Sequence, residues 1–335
     1  MKEISPRPER VCWEVTRACE VACLHCRAAS VRCRDTVEIP LAEAGRMIDR
    51  ISALKPEEFW LVGGDPLQRP DLEEVIRRAR GMSVGVLAAN TDRLTPERLR
   101  SLRDAGVRRV GLKLDGPDAA THDGFRGVPG AFETALAAAE EIRSLGMDLC
   151  IDTLIGPWNH GELNDLAERV AALDPAGWEW TPAIPVGRAV RETLCTAEEI
   201  EDLFGAFFSI RKGLPFPLRI CEAPQVKRYA RQHGYPVEGI TGPDAARGTL
   251  FIDHQGAVSP NGYLTVPCGN ARKTDPGELY RNHPFFLRTR DASGVGGKCA
   301  RCEFLKLCGG GSRARAYIVT GDFDAADPAC AFEPV

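Results

Sequence analysis

Three cysteines within one short stretch, Cys19-x-x-x-Cys23-x-x-Cys26, constrain this chain more than any other feature. Thiolates this close can hold three irons of a four-iron four-sulphur cluster and leave the fourth iron open. A cluster with an open iron does chemistry, whereas one with four protein ligands mostly carries electrons or stiffens a fold. The alternative is a zinc site or idle buried thiols, although zinc generally takes a fourth protein ligand. Near the other end, Cys299-x-x-Cys302-x5-Cys308 and the later Cys330 offer four thiolates, enough to close a shell. A structural zinc ribbon is the alternative there. Gly309, Gly310 and Gly311 follow the third of these cysteines, and glycines let backbone approach a cluster and donate N–H groups to its sulphurs.

The chain has 13 cysteines, an odd number, and its first residues, MKEISPRPER, carry no apolar signal segment. A disulfide framework is therefore a poor reading, and a cytoplasmic protein is expected. Cys12, Cys33, Cys150 and Cys195 read as structural. Cys221 or Cys268 could return a hydrogen atom to a substrate, with plain burial as the alternative. A net charge of −4 over 335 residues provides no basic field for nucleic acid or an anionic membrane. No apolar run approaches the roughly 20 residues of a membrane span.

Apolar runs alternate with amphipathic stretches from the start. Strands are expected at 11–16, 59–63, 83–89, 108–114, 148–155 and 177–184. Helices are expected at 40–54, 70–80, 95–105, 130–145, 160–173 and 196–212. Six strand–helix units in order predict a parallel sheet with right-handed crossovers, and hence an α/β fold: a partial (β/α)6 barrel. Beyond about residue 215 prolines break the rhythm, and 249–260 reads as a hairpin turning near Gln255-Gly256. The division expected is 1–215 for the core and 216–335 for a small C-terminal auxiliary-cluster domain.

The first cysteine group follows the first strand, at the end of a β/α barrel where chemistry is placed. Gly63-Gly64-Asp65-Pro66, Asn90-Thr91 and Asp115-Gly116-Pro117 follow the second, third and fourth strands. Singly each is an ordinary turn or cap; jointly they describe a small-molecule pocket. Inward strand positions offer Glu14, Lys113, Asp152 and Glu179. Trp158, Trp178, Trp180 and Arg188 lie on or after the last two strands, with core packing and solvation as the alternative for each.

The stretch WEVTRACEVACLHCRA, the GGDP run, LDGPDAATHDGFRG, and the C-terminal EAP (222–224) and GSRARAYIVTGD segments resemble the radical S-adenosylmethionine superfamily, in its SPASM/twitch branch. The resemblance covers nearly the whole chain. It implies that Cys19, Cys23 and Cys26 hold the catalytic cluster and that S-adenosylmethionine chelates the open iron. It places Gly63, Gly64 and Asp65 at the methionine amino group, Asn90 near the ribose, His25 by the adenine and Arg126 at the methionine carboxylate. Lys113 stands where the family usually has Ser, and would bind that same carboxylate or a substrate anion. Ser312 stands where the fuller SPASM pattern has another cysteine. Cys299, Cys302, Cys308 and Cys330 then suffice for one auxiliary cluster, so two 4Fe-4S clusters are expected.

The resemblance further implies a radical SAM enzyme, a lyase or decarboxylase or else an oxidoreductase. It would make a 5′-deoxyadenosyl radical, with electrons from a flavodoxin- or ferredoxin-type reductant, and abstract hydrogen from a small-molecule substrate. Glu14, Lys113, Glu179 and Arg188 are the expected substrate-handling residues. The barrel begins within about ten residues of the N-terminus, which favours a small molecule over a peptide. The most concrete expectation is decarboxylation of a sugar-nucleoside carboxylate, of the cytosylglucuronate type, in antibiotic biosynthesis. The alternatives are a ribosomal-peptide maturase, tetrapyrrole side-chain modification as in haem-pathway relatives, a sugar or aminocyclitol dehydrogenase or epimerase, and a non-enzymatic cluster protein.

Overall fold

The computed structural model describes residues 5–21, 23–190, 194–242 and 244–335. Strands β1 (Arg10–Thr16), β2 (Glu58–Gly63), β3 (Val84–Ala88), β4 (Val107–Lys113), β5 (Asp148–Ile155) and β6 (Gly177–Pro182) lie side by side in chain order, all parallel. The returning helices are α1 (Leu41–Ala53), α2 (Leu72–Arg78), α3 (Pro96–Ala105), α4 (Ala119–Arg126), α5 (Ala131–Ser144), α6 (Leu163–Leu173) and α7 (Ala197–Gly213). Local chemistry fixes their ends. Thr95 caps α3 with Pro96 in its first turn, and Thr196 with Glu199 forms a capping box on α7.

Helix α4 is not legible in the apolar pattern, being only eight residues long. It forms because Asp118 accepts a hydrogen bond from the Thr121 N–H and Gly127 ends the helix in the left-handed conformation.

The arc runs past the six expected strands on both sides. On one edge β7 (Leu218–Ile220) continues it in parallel with β6. On the other, the two-residue β8 (Asp244–Ala245) pairs with β9 (Gly248–Ile252), and β9 lies parallel to β1. Antiparallel β10 (Val258–Ser259) completes the hairpin with β9. Residues beyond 215 thus extend the same sheet as well as supplying α8 (Val226–Gln232), α9 (Pro276–Asn282), α10 (Pro284–Arg290), α11 (Leu305–Cys308) and α12 (Arg313–Thr320).

Strand alternation sorts side chains between two faces. Val11, Trp13 and Val15 on β1, Phe59 and Leu61 on β2, and Trp178 and Trp180 on β6 are fully buried in one large apolar core. Their neighbours Arg10, Cys12, Glu58, Trp60 and Glu179 line the concave side. Trp178 and Trp180 pack edge to face at 5.1 Å, and the Trp178 indole N–H bonds Thr153 Oγ1. Both tryptophan side chains are therefore core, although Trp178 also borders the concave cavity. With Glu179 between them facing inward, period-two geometry sends both side chains into the core.

Candidate active site

Strand β1 carries an irregularity between Glu14 and Thr16, after which the chain leaves the sheet as the loop bearing Cys19, Cys23 and Cys26. The loop is pinned from beneath. Arg69, fully buried, bonds the carbonyls of Val15 and Ile39 and lies over Trp13 at 5.3 Å. Arg17 donates to the carbonyls of Ala28 and Ala29 at 3.1 and 2.8 Å. Cys26 Sγ receives the Ser30 N–H at 3.4 Å, the type of bond that tunes an iron-bound thiolate.

Arg188 belongs to this support. It donates to Cys23 O at 3.0 Å, Ser30 O at 2.9 Å and Ser30 Oγ at 3.3 Å, and its own N–H bonds Cys26 O. It does not line the cavity, so it holds the cysteine loop in place of the substrate contact expected of it. Arg188→Ala is expected to strip iron from this loop alone, taking a reconstituted chain from about eight irons toward about four. Iron analysis after desalting checks this; an unchanged count would remove the support role.

Gly63 and Gly64 sit against the start of the loop. Gly64 N bonds Thr16 O and Asp65 N bonds Ala18 O. A Cβ at Gly63 would stand 2.3 Å from Thr16 O, and one at Gly64 would stand 2.4 Å from Ala18 O, so both positions require glycine. Asp65 is fully buried, with Oδ1 accepting from the Leu67 N–H. Its Oδ2 has no hydrogen-bond partner, and Arg93 Nε stands 3.9 Å away. Burial pushes this carboxyl up to about 6. An orphaned buried acceptor beside the cysteine loop suits an incoming ammonium group.

His25 stacks on Phe125 at 3.9 Å, and Phe125 stacks on Trp158 at 4.1 Å. The His25 Nδ1 has no partner, and burial lowers its pKa to about 3, so the ring is neutral. Arg126, at the end of α4, bonds Ala89 O and faces Asp115 Oδ2 at 3.6 Å. Asp115 is fully buried, and the Arg126 guanidinium helps keep it ionised below its usual range against the burial penalty. Asn159, unnoticed in the sequence, ties this corner together. Its amide donates to Asp115 O and Leu154 O, and its Oδ1 accepts the Gly156 N–H. Asn90 caps the turn after β3 by accepting from Asp92 N, and borders a smaller hollow with Lys113 and Arg126.

A cavity of about 480 Å³ runs from the cysteine loop down the concave face. Cys19, Cys23, Cys26, His25, Gly63, Gly64, Lys113, Arg126 and Glu179 all border it. Cations are frequent in its wall: Arg10, Arg27, Arg109, Lys113, Arg126 and Arg219. Arg219 makes no ion pair among the described residues. Glu179 is gripped by Arg10 at 2.6 and 2.8 Å. Glu14 does not line the cavity. It is buried between Arg27 (2.9 Å) and His254 (3.0 Å), joining the cysteine loop to the β9 turn rather than reaching a ligand.

The second cysteine group rings a separate pocket. Cys299, Cys302, Cys308 and Cys330 line it with Gln225, Arg228, Gly310, Gly311 and Phe332. Gly309, Gly310 and Gly311 all have left-handed φ, of 69°, 84° and 83°. The backbone N–H groups of Gly310 and Gly311 favour the Cys308 thiolate against the burial that raises its pKa. Four thiols around one pocket can close a shell, as their spacing predicts. Ser312, in place of a further thiol, caps α12 and donates a hydroxyl hydrogen bond to Glu222 at 2.7 Å. Glu222 borders the large cavity, sits at φ 54°, and is pushed by burial up to about 7.

A parallel arc carries a three-cysteine loop at its strand ends, and four further cysteines ring a second pocket. The Radical SAM superfamily model matches residues 13–170. The chain is 36% identical to the AdoMet-dependent heme synthase of Oleidesulfovibrio alaskensis, over all of this chain and 90% of that one. It is 35% identical to the AdoMet-dependent heme synthase of Methanosarcina barkeri, over 98% of this chain and 97% of that one. Among solved structures, SuiB of Streptococcus suis bound to precursor peptide SuiA aligns with a TM-score of 0.78. That alignment has 14% identity and covers 98% of this chain and 77% of that one. This chain belongs to the radical SAM superfamily. Its cofactors are S-adenosylmethionine and 4Fe-4S clusters, one catalytic and one auxiliary.

Proposed function

We propose that this enzyme modifies the side chains of an iron tetrapyrrole bearing several carboxylates. The carrying observation is similarity at 36% identity along the entire chain to an AdoMet-dependent heme synthase. A pre-heme d1 synthase from Dinoroseobacter shibae is also similar, at 28%. The cavity supports the reading. Its volume lies in the range of small-molecule sites, and Arg219 on its mixed-charge wall, which makes no ion pair among the described residues, suits a carboxylate. These relatives favour the tetrapyrrole alternative over the sugar-nucleoside expectation.

When bound, the cluster at Cys19, Cys23 and Cys26 and S-adenosylmethionine supply one-electron cleavage of a carbon–sulphur bond and thereby hydrogen-atom abstraction. The chain's own residues do the rest. Gly63, Gly64 and Asp65 receive the methionine ammonium, and Arg126 meets its carboxylate. The His25–Phe125–Trp158 stack flanks the adenine. Lys113 and Arg219 grip substrate carboxylates within the cavity. Cys299, Cys302, Cys308 and Cys330 would hold the auxiliary cluster. A flavodoxin- or ferredoxin-type protein supplies electrons.

The test is anaerobic incubation of the reconstituted enzyme with S-adenosylmethionine, dithionite and iron coproporphyrin III. The expected result is 5′-deoxyadenosine formation that depends on the tetrapyrrole, with a mass change on the tetrapyrrole itself. Tetrapyrrole-independent turnover with no mass change would overturn the reading. Peptide maturation is the second reading, since a PqqA peptide cyclase (27%) and a mycofactocin maturase (28%) are also similar along the chain.

A further inference from the structure

The charged groups around the large cavity differ in how firmly they are held. Glu179 takes two bonds from Arg10. Arg27 bonds both Glu14 and the Gly262 carbonyl. Glu58 takes Arg10 and the Trp60 indole, with Arg109 at 3.0 Å. Arg126 is shared between Ala89 O and Asp115. Each of these has at least two ties.

Lys113 and Asp152 differ. They occupy paired positions on β4 and β5, and both line the cavity. Their mutual ion pair is the one hydrogen bond that either side chain makes among the described residues. Each keeps part of its surface open, 22% and 24% of the side chain. An ammonium is a compact charge without a fixed fork, so it exchanges one carboxylate for another at little geometric cost.

We propose that Asp152 is a placeholder for substrate: a carboxylate of the incoming tetrapyrrole replaces it on Lys113, and Asp152 leaves the exchange as a neutral carboxylic acid. The inference rests on the tetrapyrrole reading. The exchange balances simply. The lysine–aspartate pair, one substrate carboxylate and one solvent proton become a lysine–substrate pair and a protonated Asp152. No electron moves.

The surroundings drive that protonation. Burial raises the Asp152 pKa, Glu179 on β6 and Asp115 beyond β4 raise it further, and Lys113 opposes them. Cys221 and the Tyr263 hydroxyl, on the C-terminal side of the cavity, also feel its charge. His25 and Asp115 are the groups on the cofactor side that feel Lys113. Without Lys113 the balance tips wholly against the Asp152 carboxylate. Because Lys113 lies toward the cysteine loop, the carboxylate it captures is held at the cofactor end. The side chain carrying that carboxylate is then the one presented for hydrogen abstraction.

Binding should therefore consume a proton. Iron coproporphyrin III, titrated into the reconstituted enzyme and followed at its Soret band, should bind more weakly as pH rises, by up to about tenfold per pH unit. D152N should bind at least as tightly at high pH and lose that slope. K113M should bind at least tenfold more weakly, with S-adenosylmethionine affinity unchanged. Glu222, near 7, borders the same cavity, so the difference between wild type and D152N is the reading. An iron count equal to wild type verifies that each variant is folded.

Equal slopes in wild type and D152N would overturn the proposal. So would D152N binding as weakly as K113M, or K113M weakening S-adenosylmethionine in place of the tetrapyrrole. Absence of any tetrapyrrole binding by wild type would sink the tetrapyrrole reading and this inference with it; binding without the slope would sink the inference alone.

Discussion

Replacing Cys19, Cys23 and Cys26 together by alanine is expected to lower the iron of the reconstituted chain from about eight atoms to about four. Reductive cleavage of S-adenosylmethionine should fall below detection. The two losses have one cause. These thiols border the large cavity, while the other four ring a pocket of their own. Removing the first set leaves the second group's surroundings intact, since Gly310 and Gly311 lie beside Cys308 and away from the cysteine loop. The residual iron should retain the spectrum of a four-cysteine cluster. Iron falling to none would mean that the two shells assemble cooperatively. Persisting cleavage would remove the enzyme from its assigned chemistry altogether.

Asp327→Ala should cost about 3–5 kcal/mol of stability, the range for stranding one member of a buried ion pair. Asp327 and Arg315 are 1% and 3% exposed at their side chains and lie 2.9 Å apart. Asp327 Oδ2 also accepts from Ser312 N at 2.7 Å and Gln225 Nε2 at 2.8 Å, and Oδ1 accepts from Ala329 N. Arg315 reaches on to Glu222 O at 2.9 Å. One carboxylate thus joins the turn after Cys308, the approach to Cys330 and the cavity wall. Denaturant titration of the reconstituted variant checks the magnitude, and iron analysis should show preferential loss from the C-terminal site. Replacing Arg315 as well by an apolar residue should recover part of the loss, because the stranded cation is then gone. A loss below about 1 kcal/mol would show that Asp327 is not the tie it looks to be.

Much of this was legible in the sequence. Strand–helix alternation and the cysteine spacings are local signals, and they locate the six core strands and both thiol groups. The glycines after Cys308 suit a backbone that L side chains rarely adopt, and all three have left-handed φ. What local pattern cannot carry is the partner of a charged residue. Arg188 lies 165 residues from Cys23, and its place beneath the cysteine loop depends on how the arc curves. Glu14 sits on an inward position yet is taken up by Arg27 and by His254, the latter 240 residues away. Asn159 reads as one polar residue in a loop until β4 and β5 stand side by side. Trp178 and Trp180 are different, because alternation with Glu179 already decides their face.

The concave wall built of Arg10, Glu58, Arg109, Asp148 and Glu179 has one last bearing. Cohesion resides on the opposite side of the arc, where Trp13, Trp178 and Phe59 meet the helices. Mutations at the hollow's singly tied groups, such as Lys113, therefore bear on recognition more than on folding, whereas breaking the Arg10–Glu179 pair costs stability as well. The outer apolar layer sets the shape of the arc, and the ionic lining sets what the hollow accepts.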